Sequence, residues 1–103
     1  FSVDTMPARV AEALPQVLSR VRHIHIRDCR GPGPSPGEAK DQACGRGEID
    51  LMSYFRAMVS GGYDGPVCLE VIGAGKYELS QKAIVAAESY GYMNACLKAL
   101  KAR

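Results

Sequence analysis

Residues 21–30 read VRHIHIRDCR, and their alternation decides the fold. His23, His25 and Arg27 fall on one side of an extended chain, and Ile24, Ile26 and Asp28 on the other. A period of two is the mark of a strand, because successive side chains point to opposite faces. Two imidazoles and a guanidinium on one face, with isoleucines on the other, is an unusual pattern for a surface strand. It suits a strand packed under helices on its apolar side whose polar side lines a site. That is the condition of a strand near the mouth of a β/α barrel.

The flanking segments alternate in type. On the N-terminal side, FSVD (1–4) is short and alternating, and Thr5 and Pro7 then open a helical pattern with apolar residues at Val10, Leu14, Val17, Leu18 and Val21. Thr5 is an N-cap type and Pro suits a first helical turn. Pro15 is expected to kink or split that helix, because it removes a donor and crowds the preceding turn. On the C-terminal side, residues 29–47 form a long loop, with five glycines and with Pro32, Pro34 and Pro36. Long loops in compact domains are commonly functional or mobile. The spacing predicts a helix over 48–62, with Asp50 as N-cap, an apolar stripe at Leu51, Tyr54, Phe55, Met58 and Val59, and Gly61–Gly62 as its stop. The turn Tyr63-Asp64-Gly65-Pro66 leads into a strand, VCLEVI (67–72), in which Cys68, Glu70 and Ile72 share a face. A last helix is predicted over about 79–102, with an apolar face at Ile84, Ala87, Tyr90, Met93, Leu97 and Leu100. Strands alternating with helices predict an α/β fold with a parallel sheet and right-handed crossovers. Three strands cannot close a barrel.

The composition bounds the function. The chain has 103 residues, a one-domain length, with 47% hydrophobic and 23% charged residues, as in soluble globular proteins. A net charge of +2 gives no electrostatic footprint for nucleic acid or a membrane surface, and no apolar run is long enough to span a bilayer. The first residues, FSVDTMPAR, have no initiator Met, no basic n-region and no apolar core, so the expectation is a segment of a longer parent without a signal peptide. Cys29, Cys44, Cys68 and Cys96 form no C-x-x-C pair, and they are expected to be reduced thiols of a cytoplasmic protein.

Set side by side, the three strands bring Asp4, His25 and Glu70 toward their C-terminal ends, each on the face opposite the apolar set. Parallel β/α folds build their sites at that end. One imidazole and two carboxylates make a mixed N/O donor set suited to Mn²⁺, Mg²⁺, Co²⁺ or Zn²⁺. Taken singly, Asp4 reads as a turn former and His25 as a hydrogen-bonded core histidine. Glu70 is harder to dismiss, because a carboxylate inside VCLEVI needs a partner. His23 reads as a neighbour beneath that set, and a zinc set of His23, His25, Cys29 and Cys44 is a weaker alternative without recognised spacing. Arg27 and Arg30 are candidates to hold a polyhydroxylated substrate, or to pair with Asp28 or Glu48.

HIHIRDCRG, GRGEIDLMSYFRAMVSGGYDGPVCLEV and AAESYGYMNACL resemble, in order and spacing, the C-terminal part of the xylose isomerase-like TIM-barrel superfamily. That superfamily holds sugar isomerases and epimerases, inosose dehydratase and relatives of endonuclease IV. The resemblance covers nearly all of the chain. It implies the last three β/α units of a (β/α)8 barrel, here a single segment over 1–103. It also implies a divalent metal, Mn²⁺ first, held by Asp4, His25 and Glu70. Glu70 is further implied as an acid/base carboxylate, and Arg30 as a substrate contact with Arg27 and His23 nearby. Pro7 departs from the pattern, since many members carry a His there. The fourth ligand of the family, a Glu from an earlier strand, has no counterpart.

The expected function is a metal-dependent sugar isomerase or epimerase that transfers a proton next to a carbonyl through a metal-stabilised enediolate. The expected partners are a sugar or polyol substrate and either a second copy or the rest of the barrel. Pro7 turns part of the expectation toward a lyase of the same superfamily, a dehydratase or a subunit that cleaves 3-keto-glycosides. Another class is a non-catalytic half-barrel that associates through its open sheet edges. A metal-dependent nuclease would want more histidines and a basic face.

Overall fold

The computed structural model describes residues 2–3, 9–31 and 35–102, with the side chains from residue 12 onward. Asp4, Thr5 and Pro7, and with them one expected metal ligand, lie outside the described residues. The chain is α/β. In order it forms β1 (Ser2–Val3), α1 (Arg9–Val17), a 3-10 turn (Leu18–Arg20), β2 (Ile24–Ile26), α2 (Ala39–Gln42), α3 (Leu51–Ser60), β3 (Val67–Leu69), a second 3-10 turn (Ala74–Lys76) and α4 (Leu79–Ala99). The strands make one parallel sheet in sequence order, β1-β2-β3. Ser2 stands opposite His25, and His25 opposite Cys68.

The sheet packs helices on one side. Ile24 and Ile26 are fully buried in a core with Leu14 and Leu18, with Leu51, Tyr54, Phe55 and Met58 of α3, and with Cys96 of α4. On the other side of β2 and β3, His23 and Cys68 are exposed and His25 and Glu70 are half-buried. The alternation of HIHI thus sorts its side chains as a half-covered strand requires.

Both long strands are shorter than their alternation suggests, and one residue explains it. Gln42 is completely buried. Its backbone carbonyl accepts from the amide of Asp28 at 3.0 Å, which draws the chain away after Ile26. Its side chain pairs with the backbone of Ile72 in both directions, accepting from the amide at 2.7 Å and donating to the carbonyl at 3.0 Å. Gln42 thus stands where β2, continued past Ile26, would pair with the chain beyond β3, and it satisfies backbone groups of both Asp28 and Ile72.

The part of the loop after β2 from residue 35 onward holds more structure than its composition implies. It contains α2, and Ala39, Gln42, Ala43 and Cys44 are buried within it. Helix α1 runs through Pro15 and tightens three residues later into the 3-10 turn at Leu18. Asp50 caps α3 as expected, accepting from the amide of Ser53 at 3.3 Å and from its hydroxyl at 2.6 Å.

Helix α4 turns only the C-terminal half of its expected face to the core, Met93, Leu97 and Leu100, and leaves Ile84, Ala87 and Tyr90 exposed. Val85, Ser89 and Cys96 are buried, with Tyr92, Met93, Leu97 and Leu100 packed beside them, whereas Ile84 and Tyr90 are each 59% exposed and Leu79 is 80% exposed. The expected stripe followed the large apolar residues. The buried stripe follows a hydrogen bond instead: the Ser89 hydroxyl accepts from the buried amide of Cys44 at 3.0 Å. A buried amide needs an acceptor, and a small polar side chain on α4 supplies it.

Candidate functional site

The polar face of β2 and β3 carries two imidazole pairs built alike. His25 Nδ1 lies 2.9 Å from Glu70 Oε2, and both side chains are about 40% exposed (40% and 39%). Two residues earlier on each strand, His23 Nε2 lies 3.0 Å from Cys68 Sγ. Each imidazole therefore reaches past its register neighbour to the next residue of β3 on the same face. The two rings meet edge to face with centroids 4.6 Å apart and an interplanar angle of 86°. The ladder ends at Glu70, whose amide donates to the Ile26 carbonyl at 3.0 Å. His25 and Glu70 thus lie together at the C-terminal end of the sheet, as their positions in sequence predict.

The pair has the geometry of two donors to one cation. Ligands at about 2.1 Å in adjacent octahedral positions stand about 3.0 Å apart. A 2.9 Å separation of nitrogen and oxygen falls at that spacing. It is equally the length of a direct imidazole–carboxylate hydrogen bond. Among the described residues no three His, Cys, Asp or Glu side chains form a group that would hold a metal ion. The described part of the site is therefore two-donor. Val3, the residue before Asp4 in sequence, stands in register with Ile26.

The other expected site residues go different ways. Arg27 is half-buried next to the site strand. Arg30 is turned to the loop instead: its Nε is 3.8 Å from Asp41 Oδ2, and its amide donates to the Pro36 carbonyl at 3.0 Å. Neither Asp28 nor Glu48 is its ion partner among the described contacts. Cys29 and Cys44 lie in the apolar core with Ile24 and Ile26, the side of the sheet opposite His23 and His25, so a zinc set of these four is not assembled. All four cysteines are free thiols.

The acidic residue at the centre of the folded loop is Asp28, and its part was not read from the sequence. Only 1% exposed, it accepts three backbone amides: Cys29 and Ile49 at Oδ1 and Gly45 at Oδ2, each at 3.0 Å. Gly45 has φ +93°, a left-handed backbone that a side chain would strain. At Gly47 an added Cβ would collide with the Asp28 carboxylate and the Cys29 carbonyl. The segments HIHIRD and GRGEID are thus two halves of one structure, a carboxylate and the amides around it. The signal was present in the sequence as an Asp on the apolar face of the strand, since a buried carboxylate must be partnered.

Thiol chemistry divides along the same line. Burial is the main cause that pushes Cys44 up to about 11, and burial likewise raises Cys29 and Cys96 above the ordinary thiol value. Cys68 is the exposed one. Among the described residues, no helix is long and apolar enough to cross a membrane. No family model, curated protein or solved structure matches the chain.

Proposed function

We propose that the chain forms the last three β/α units of a (β/α)8 barrel of the xylose isomerase-like type, and that the barrel acts on a sugar or polyol by moving a proton next to a carbonyl. The observation that carries this is the His25–Glu70 pair at 2.9 Å on the open, C-terminal end of a parallel sheet. Parallel sheets are ordinarily covered on both faces. A parallel sheet with helices on one side and imidazoles and a carboxylate on the other is accounted for if the second face is the inside of a barrel.

In this reading His25 and Glu70, with Asp4, hold a divalent cation, Mn²⁺ first and Mg²⁺, Co²⁺ or Zn²⁺ as other candidates. The ion would supply positive charge beside the oxygens of the bound carbonyl compound. Glu70 turns Oε2 toward His25. Its second oxygen is the candidate to take a proton from the carbon beside the carbonyl and return it. Arg27 and His23 are the candidates to bind substrate hydroxyls, and Arg30 joins them only by leaving Asp41. A lyase of the same superfamily uses the same residues, with loss of a leaving group after the proton is taken, and the sequence difference at Pro7 speaks for it. The remaining strands come from another part of a longer chain or from a second copy, because among the described residues β1 and β3 each end the sheet with an open edge.

The test is a titration with Mn²⁺, followed by the paramagnetic signal of the free ion. The parent protein is expected to bind about one ion per barrel, and His25→Ala and Glu70→Gln each to weaken binding at least tenfold. If both variants bind Mn²⁺ as the parent does, the site assignment is wrong.

A further inference from the structure

We propose that Cys68 and His23 form a nucleophile–base pair, a site for small carbonyl electrophiles separate from the His25–Glu70 pair above it. The inference stands on the geometry of this pair and does not need the metal.

Nucleophilic thiols are recognised by a base within hydrogen-bond reach that is itself held in place by a third group. All three parts are present. Cys68 Sγ is 3.0 Å from His23 Nε2. The His23 ring stands edge to face against His25, and His25 is fixed in turn by Glu70. Parallel register makes the arrangement stiff, because Cys68 sits opposite His25 in the ladder. Access is available too: Cys68 is the exposed cysteine, while Cys29, Cys44 and Cys96 are 3%, 3% and 5% exposed. Burial also holds those three thiols in their neutral form, with Cys44 the furthest shifted.

The chemistry follows from where the proton goes. In the tautomer with Nε2 unprotonated, His23 takes the Cys68 thiol proton as sulfur attacks. A C–S bond forms and the carbonyl π bond breaks, placing the electron pair on oxygen. His23 then returns its proton to that oxygen, giving a neutral hemithioacetal. Nothing is oxidised or reduced, and the step is reversible. A carbonyl compound is the class that uses this pair fully, because its oxygen takes back the proton that the imidazole holds.

The experiment is alkylation of the folded protein by iodoacetamide, with each cysteine followed by peptide mass spectrometry, in the absence and presence of D-glyceraldehyde. Cys68 is expected to be modified first. His23→Gln is expected to slow its modification at least about tenfold, which is less than the roughly hundredfold or more that a positioned base contributes to a catalysed step. D-Glyceraldehyde is expected to protect Cys68 in the parent. Cys29, Cys44 and Cys96 report the fold: they stay unmodified in a folded variant, and all four thiols react alike in an unfolded one. Should His23→Gln unfold the chain, the parent still decides the matter through selectivity and protection. Equal labelling of the four cysteines in the folded parent, or a Cys68 rate indifferent to His23 in a folded variant, overturns the pair. Selective labelling without protection by D-glyceraldehyde overturns the carbonyl ligand.

Discussion

The two faces of one short strand treat their polar groups in opposite ways. On the helix side, Asp28 is sealed from solvent and its carboxylate is occupied by three amides. On the open side, His25 and Glu70 hold each other while remaining about 40% exposed (40% and 39%). A buried carboxylate must have every lone pair answered, and the chain has wrapped a loop around it to do so. The exposed pair is under no such demand, so its residues are free to serve chemistry. The architectural acid Asp28 lies only three residues from His25 of the candidate chemical site, and burial tells the two apart.

The largest effect is expected from removing the architectural acid. Asp28→Ala leaves the amides of Cys29, Gly45 and Ile49 without their acceptor in the core. The Cys29 and Ile49 amides are buried and Gly45 is an exposed residue, so at about 1–3 kcal/mol for each buried donor so stranded the total is expected at about 2 kcal/mol or more. Urea unfolding followed by circular dichroism measures it. A loss below about 1 kcal/mol would mean that water enters and answers these amides, and the contrast between the faces would lose its basis.

Gly47→Ala attacks the same structure from the other strand of the loop. The added methyl meets the Asp28 carboxylate and the Cys29 carbonyl, neither of which is a flexible chain end. A destabilisation of about 1–3 kcal/mol is expected, as for other overpacked positions. Combined with Asp28→Ala the cost is expected to be less than the sum, because the smaller residue gives the methyl room. An additive double variant would show that the carbonyl, and not the carboxylate, is the obstacle.

Against these, His25→Ala is expected to change stability by less than about 1 kcal/mol, the ordinary worth of an exposed pair. The same denaturation curves measure it beside Asp28→Ala. A cost equal to that of Asp28→Ala would make the His25–Glu70 pair structural and remove the reason to look for chemistry there.

How much of this was readable beforehand depends on range. Alternation in HIHI and in VCLE gave the strands, their faces and the approach of His25 to Glu70, because a period of two is a local property. The N-cap at Asp50 is local as well. The rest is settled by partners distant in sequence. Gln42 ends β3 through Ile72, thirty positions away. Ser89 turns α4 inward to reach Cys44, so the large residues Ile84 and Tyr90 face outward. A hydropathy stripe cannot register such a bond, since it gives a buried serine the wrong sign. Arg30 likewise finds Asp41 in a loop whose composition suggested little order. The pattern places His23 beside the site, but it shows Cys68 only as a strand thiol, because the bond between them joins residues 45 positions apart.

The smallest effect is expected where a carboxylate is answered on the surface. Glu88 on α4 accepts from Arg46 through both oxygens, Oε2 from Nε and Oε1 from Nη2, each at 2.7 Å. That bidentate grip holds the Glu88 carboxyl below its ordinary value and the Arg46 guanidinium above its own. A carboxyl depressed in the folded state stabilises the fold above its unfolded value and loses that contribution as pH falls through the folded one. Glu88→Gln is therefore expected to lower the unfolding midpoint slightly at neutral pH. The difference should vanish in acid, once the carboxyl of the parent is protonated, and shrink at neutral pH in high salt. Asp28 supplies the contrast under the same salt, since its carboxylate is buried and two of its three amide partners, on Cys29 and Ile49, are buried with it and little screened. If the Glu88→Gln deficit persists unchanged in acid, the side chain acts by packing against α2 and not by charge. The surface carboxylate would then resemble the buried one more closely than the geometry implies.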